Sequence, residues 1–478
     1  MLRKIILMLG LISATIYSQG FGTSSISDPV SAGMGNTYTS NVSGTYAIGK
    51  NPANILLGRR GAIEIATVLP LPNMTVMAGT DFLSLNEFKY FFGGVTNEQG
   101  ETVSRHLTED DKTRLKNLFD GGGFFSGSAS VSLLNVVFKI SREVGAFGFS
   151  INENVGAFFD FPESIVDLAL DGNTIGSVYD FSGSRLDMVW MRDYTLTYAR
   201  DFRDVFRGFR NLYIGASMKF VQGFAMAHTD HISTLFETGS NSEIITRGNL
   251  LGYASFSKDL GVNYDFDTTN TNQANDFTPF PSPAGSGVGF DFGVTAKVND
   301  KLTLAFALTG LGSIKWNNNV AEYSSDVALV FDDISDEATR DSLFDQVTGD
   351  GRYISSVETE LPSAIRFGAS LNVERFFEKG NFPGTLLVAL DYNQGLNNTS
   401  MSSKKARVSI GAEWMPNEMF PIRTGFSFGG IYGFAWSFGL GLNLGLLEFN
   451  ISAFNFTSLL QANDAEKITL SLGSRWRF

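Results

Sequence analysis

Three histidines and no cysteine make up the chain's whole supply of imidazole and thiolate ligands. Two of the histidines sit in His228-Thr-Asp230-His231, the only cluster with ligand spacing. A zinc site needs three or four convergent ligands, and the remaining histidine, His106, is remote in sequence, so solvated loop side chains account for the cluster better. Asp265-Phe-Asp267-Thr-Thr-Asn270 begins like a calcium loop but lacks its glycine and its distal glutamate. Gly425-Phe-Ser427-Phe-Gly429 matches the string of a nucleophile elbow. That motif requires a sharp strand-to-helix turn, whereas here the string lies within an alternating run. No catalytic residue, metal or cofactor is expected. The lack of cysteine also excludes disulfides and a lipidated N-terminal cysteine.

The elements that carry these residues are strands. From Ser363 to Phe478, six runs alternate between apolar and polar residues, the period of a half-buried strand. Ile365, Phe367, Ala369, Leu371 and Val373 fall on one face of the first run, and Arg366, Gly368, Ser370, Asn372 and Glu374 on the other. The apolar faces carry Trp414, Phe426, Phe428, Trp436, Phe438 and Phe449, too many large groups for the lumen of a small soluble barrel. Lipid is the easier host. The 51 Gly, 43 Phe and 18% charged residues in 478 suit close-packed strands facing lipid, and no shift in composition marks a second folded domain. A formal net charge of −13 argues against a nucleic-acid partner.

Met1–Ser18 has two basic residues, a short apolar core and a small or polar end, the layout of a secretory signal peptide. No other run is long enough for a membrane helix, so an exported, membrane-spanning chain must close into a barrel. Residues 19–60 are polar and lack alternation. Fourteen strand-like runs then fill 61–478, with long gaps at 70–126, 159–187, 229–285 and 317–362 alternating with short ones. The expected fold is all-β, a 14-stranded antiparallel transmembrane β-barrel in the outer membrane of a Gram-negative cell, with both termini periplasmic and the long loops extracellular. Trp190, Trp316, Trp414, Trp436 and Trp476 share the parity assigned to lipid and lie near strand ends, as in two aromatic girdles. Thr108–Phe119, Pro162–Leu170 and Ser335–Val347 read as short loop helices.

Asp28-Pro29, the run Ala32-Gly33-Met34-Gly35-Asn36-Thr37-Tyr38-Thr39 and the closing Asn51-Pro52-Ala53 resemble the start of mature FadL-family outer-membrane proteins, and PorV-type members of that superfamily open similarly. The resemblance implies that 19–60 form a hatch, marked by Gly33, Met34, Gly35, Asn51, Pro52 and Ala53, inside a barrel that passes long-chain fatty acids or other hydrophobic small molecules. It also implies capture at the extracellular loops, a hatch shift and sideways escape into outer-membrane lipid. A rival reading, a PorV-like barrel that binds cargo or machinery of type IX secretion, shares the same opening motif.

Three groups of residues complete the expected site. Glu374, Glu413, Arg423, Glu448 and Arg475 take the inward parity near periplasmic strand ends, which suggests an ion-pair belt around the hatch. The apolar parity switches between Leu133 and Leu134, as at a bulge, and Glu153 and Arg192 interrupt lipid-facing runs on neighbouring strands. Because a mid-bilayer charge costs about 2–4 kcal/mol for Arg, Asn152, Glu153, Asn154 and Arg192 are expected to line a lateral opening. Phe277, Phe280, Phe331, Leu343 and Phe344 are the expected capture surface above the barrel.

Overall fold

A computed structural model describes residues 28–478 except 59–61, 97–99, 173, 204–207, 241–242, 268–279, 332–349, 379 and 432, and excepting the side chains of 327–331. Fourteen antiparallel strands close on themselves. They are β1 (Ile63–Thr67, resumed as Asn73–Thr80), β2 (Gly123–Ser141), β3 (Gly145–Phe161), β4 (Arg185–Asp201), β5 (Asn211–Thr238), β6 (Gly285–Lys297), β7 (Leu302–Trp316), β8 (Ala364–Asn372), β9 (Thr385–Gly395), β10 (Arg407–Met415), β11 (Ile422–Gly429), β12 (Ala435–Asn443), β13 (Leu447–Ala453) and β14 (Lys467–Arg477). Each strand pairs with the next, and β14 returns to both halves of β1, so the barrel closes on itself.

The barrel inverts the layering of a soluble protein. In β11, Phe426 and Phe428 are exposed while Arg423 and Ser427 are buried, and in β4 Leu196 is exposed while Thr195 and Thr197 are buried. An outward apolar face and an inward polar one need lipid outside and polar partners inside. No helix among the described residues is long and apolar enough to cross a membrane.

The loop assignments need correction in two places. Strand β1 does not end near Leu69 but resumes at Asn73–Thr80, so the first long loop begins at Asp81 rather than at residue 70. Pro70 and Pro72 lack an amide hydrogen, which interrupts the ladder without ending the strand. The gaps at 229–285 and 317–362 hold a sheet instead of irregular loops. Beyond Gly223, β5 leaves β6 and pairs with Ile244–Phe256, which pairs with Val320–Phe331, which pairs with Asp350–Tyr353. In the other long loops, Glu109–Leu118 carries the Thr108/Asp111 capping box, Glu163–Asp171 forms the second helix, and the third expected helix lies outside the described residues. Leu115, Phe119 and Val166 are buried with Phe82, Leu83, Phe91 and Phe161, so these apolar faces pack against one another.

Bulges re-aim the wall. One lies between Ser132 and Leu134 in β2, where the parity switch placed it. A second, in β7, sets Thr309 and Gly310 opposite Asp291 of β6, with Gly310 at φ 72°. The extra residue reverses the parity above it. Trp316 therefore does not face lipid: it is fully buried and donates from Nε1 to Thr359 Oγ1 at 2.8 Å.

Gly310 tests this account against Gly100, which has φ 82° and open space around it. A Cβ on Gly310 would lie 1.9 Å from the Pro362 carbonyl oxygen. Gly310→Ala should combine that clash with the backbone strain of about 1–3 kcal/mol, whereas Gly100→Ala should cost the strain alone. Urea unfolding in detergent should show the larger loss for Gly310→Ala, and equal losses would contradict the bulge.

Candidate functional site in the barrel lumen

The chain from Asp28 to Leu57 lies inside the barrel. Helix α1 (Pro29–Gly33) is capped by the Asp28 carboxylate, which accepts from the Val30 and Ser31 amides, and two short 3-10 turns follow at Gly44–Ala47 and Pro52–Leu56. None of these elements is long enough to satisfy its own backbone, so the wall supplies partners. Asp391 Oδ2 on β9 accepts from the Tyr38 amide, the Thr39 amide and the Thr39 hydroxyl, each at 2.7 Å. Arg366 on β8 donates to Asn393 Oδ1 at 2.9 Å, to the Tyr38 hydroxyl and to Thr309 Oγ1. Lys50 pairs with Asp28 within the segment.

The six residues assigned to the segment by motif sit against glycines or polar side chains of the wall. A Cβ on Gly425 would lie 2.3 Å from the Met34 carbonyl carbon, and one on Gly439 would lie 3.1 Å from Gly33 Cα, so glycines of β11 and β12 make room for Gly33-Met34-Gly35. The elbow-like string is thus a strand whose Gly425 seats the segment. Asn51 donates to the Thr39 carbonyl at 2.8 Å and to Thr295 Oγ1 of β6 at 3.0 Å, and accepts from the Ala53 amide. Pro52 packs where Gly215 and Gly293 leave space.

At the end of the barrel where β1 begins and β14 ends, four of the five residues expected in a belt come together. Arg423 pairs with Glu413 at 2.6 Å and donates to Asn450 Oδ1, Asn450 donates to Glu448, and Glu448 pairs with Arg475 at 3.0 Å. The chain of contacts continues through residues the sequence reading missed, from Arg475 to Glu64 at 3.4 Å and from Glu64 to Lys139 at 2.8 Å. It also reaches the lumenal segment, because Arg475 donates to the Ser43 carbonyl and Lys139 to that of Leu57. Glu374 is not part of it. Strand β8 ends at Asn372, the chain enters a 3-10 turn, and the Glu374 carboxylate accepts from the Leu386 amide instead.

The opening expected at Asn152–Asn154 is absent. These residues are in register with Ser132, Val131 and Ser130 of β2 on one side and with Asp193, Arg192 and Met191 of β4 on the other. Asn152 and Asn154 face inward and donate to the Asp193 carboxylate. Glu153 pairs outward with Arg192 and accepts from Trp190 Nε1 at 2.9 Å, and the rings of Phe224 and Phe280 cover the Arg192 guanidinium. Mutual neutralisation under aromatic cover hosts the two charges without a gap in the wall. Of the expected capture residues, Phe280 is thus engaged with Arg192, Phe331 closes the strand Val320–Phe331, and Phe277, Leu343 and Phe344 lie outside the described residues.

At the long-loop end, cavities of about 500 and 390 Å³ flank an inward-folded segment around Asn398–Lys404. Phe124 and Phe158 line the larger cavity, and Met188, Met191 and Met226 line the smaller. His228 stands at the rim of the smaller one, 2.8 Å from Asp187, whose hydrogen bond raises the imidazole pKa against the opposing effect of partial burial.

Closed pairing, an apolar exterior and a polar lumen filled by the chain's own N-terminal segment define a membrane-spanning β-barrel of the outer-membrane type. The chain belongs to the family of unknown function DUF5723, whose family model matches residues 62–454. No curated protein matches the sequence. Similar solved structures include the toluene transporter TbuX of Ralstonia pickettii, 12% identical over 96% of this chain and 99% of that one, with a TM-score of 0.42. The toluene transporter TodX of Pseudomonas putida is 10% identical over 96% of this chain and 100% of that one, with a TM-score of 0.45. A Pseudomonas aeruginosa FadL homologue is 11% identical over the same shares, with a TM-score of 0.46.

Two outcomes follow from this geometry. Asn51→Ala removes two buried donors and one acceptor, worth about 1 kcal/mol each. It should speed proteolysis within 28–57 while the heat-modifiable barrel band on an unboiled gel keeps its intensity, and unchanged proteolysis would contradict the seating role. His228, with Arg185 and Asp230 as its other charged neighbours, should titrate above the ordinary value of about 6.5 and return toward it in Asp187→Asn. Because the folded pKa is the raised one, stabilisation by the pair is complete below the unfolded value and is lost as pH rises through the folded value. Imidazole resonances in the NMR spectrum would report both titrations.

Proposed function

We propose that this chain is a passive outer-membrane channel for hydrophobic small molecules, with long-chain fatty acids as the representative class. The N-terminal segment acts as a hatch, the cavity-bearing loops face the cell exterior, and both termini face the periplasm. Cargo enters between the loops, passes into the lumen when the hatch shifts, and leaves sideways into outer-membrane lipid.

The observation that carries this reading is a lumen blocked along its axis beside a wall that is interrupted sideways. Between the pairs Ile65↔Trp476 and Met74↔Leu472, β1 and β14 make no regular ladder. Residues Val68–Pro72 leave the wall there, with Leu69 70% exposed on the outside. Side chains bridge the gap instead: Asn73 donates to the Ser474 carbonyl at 2.8 Å, and the Ser474 hydroxyl donates to the Leu71 carbonyl at 2.8 Å. The hatch stands directly behind, with the Tyr46 hydroxyl donating to Asn73 Oδ1 at 3.1 Å and the Pro29 ring 3.2 Å from where a Gly473 Cβ would lie. Water-soluble cargo has no use for a route into lipid, whereas apolar cargo gains free energy by taking it.

Uptake of labelled fatty acid and of toluene should fall in a deletion strain and recover on complementation. In this cysteine-free chain, a disulfide between Asn73→Cys and Gly473→Cys should lower uptake about tenfold when oxidised and release it on reduction. Undiminished uptake in the deletion strain together with loss of secreted proteins would instead favour the cargo-binding reading.

A further inference from the structure

We infer that the segment Leu396–Ala406, between β9 and β10, is a second gate in series with the hatch, and that Met401 on that segment selects by size what passes. The inference rests on the conduit reading for what is carried, but the barrier itself is a property of the lumen. The segment folds inward across the mouth. On its own side it is tied by directional bonds: Asn397 donates to the Leu361 carbonyl at 2.7 Å and accepts from the Ser363 amide at 3.2 Å, Ser402 donates to the Ser363 carbonyl at 3.1 Å, and the Gly395 amide donates to the Ser403 carbonyl at 2.9 Å. A bridge between Thr399 and Ser402 stiffens the tip into a turn.

The opposite wall is met differently. Met401 is buried and packs with Met191 and Val221 of β4 and β5. A Cβ on Gly156 of β3 would lie 2.6 Å from Met401 Cγ and 3.0 Å from Ser400 Oγ, so the tip touches β3 where a glycine leaves room. A segment hydrogen-bonded on one side and held on the other by a flexible thioether can swing without breaking directional bonds on the far wall. Its position divides the lumen. The two large cavities flank it on the loop side, and deeper in the lumen a cavity of about 60 Å³ has both Met401 and Gly49 of the hatch in its wall. That space holds a few water molecules at most. Cargo that passes through it therefore needs both barriers to move, and the unbranched Met401 side chain is the part of the upper one that sets the passable width.

The test uses the intact chain. Val221 is 1% exposed and lines the lower cavity, so Val221→Cys provides a unique thiol beneath the gate. Its labelling by a small, membrane-impermeant methanethiosulfonate should be slow and should accelerate about tenfold or more when Met401→Ala is added. Separately, Met401→Cys with Gly156→Cys should block uptake of labelled fatty acid when oxidised and restore it on reduction. Labelling of Val221→Cys at one rate with or without the Met401 side chain would overturn the gate, as would equal and measurable uptake by the oxidised and reduced pair. Faster labelling in a protein that carries no hydrophobic compound in any form would support the gate and refute the conduit reading.

Discussion

A chain segment threaded through a barrel must satisfy its backbone groups against a wall whose own amides and carbonyls are already used in the ladder. Only inward-facing side chains can do this, and the arrangement of the lumen follows from that constraint. Asp391 is the clearest instance, since one carboxylate oxygen receives two amides and a hydroxyl from Tyr38 and Thr39. Hydrogen bonds to a charged acceptor contribute about 1.5–3 kcal/mol each, more than neutral ones, so a few such anchors are enough to fix a segment with little regular structure of its own. Arg366, Arg475 and Lys139 apply the same logic to the carbonyls of Lys50, Ser43 and Leu57.

The wall serves two solvents at once, and its irregularities lie where one demand yields to the other. The β7 bulge turns Trp316 from the lipid side into the mouth, where it packs with Met191, Val221 and Met401. Glu153 and Arg192 stay outward and neutralise each other beneath Phe280. The prolines of β1 open the ladder beside the segment and leave Asn73, Ser474 and Tyr46 to hold the seam through side chains. An interrupted strand is tolerated there because polar side chains replace the missing backbone partners.

Much of this is legible in the sequence, for identifiable reasons. A membrane barrel writes period-two alternation into every strand, so the fourteen strands can be read directly; the run expected to stop before the gap at 317–362 ends at Trp316. Parity also identifies Glu413, Arg423, Glu448 and Arg475 as lumenal, because each lies in a regular stretch. Parity fails past an irregularity: Glu374 lies beyond the end of β8, and Trp316 lies beyond a bulge whose only mark is Gly310. Outward charges point to Asn152–Asn154, yet the ladder breaks at Leu69-Pro70-Leu71-Pro72, a string that reads equally well as the start of a loop. Asp391 and Arg366 were visible as inward residues, but their partners lie more than 300 positions away, and no local pattern connects them. The sheet above the barrel was hidden because its strands are separated by Asn-, Thr- and Gly-rich stretches like those of ordinary loops.

The central claim is that buried side chains of the wall hold the N-terminal segment in the lumen. Hydrogen–deuterium exchange at the Tyr38 and Thr39 amides, in the folded protein and in Asp391→Ala, tests it most directly. The account predicts protection comparable to that of the barrel strands in the unaltered protein. In the variant, protection should drop by two orders of magnitude or more at these two amides, since about 3 kcal/mol of anchoring is removed, while β9 and β10 stay protected. Fast exchange at Tyr38 and Thr39 in the unaltered protein, or exchange indifferent to Asp391, would contradict it.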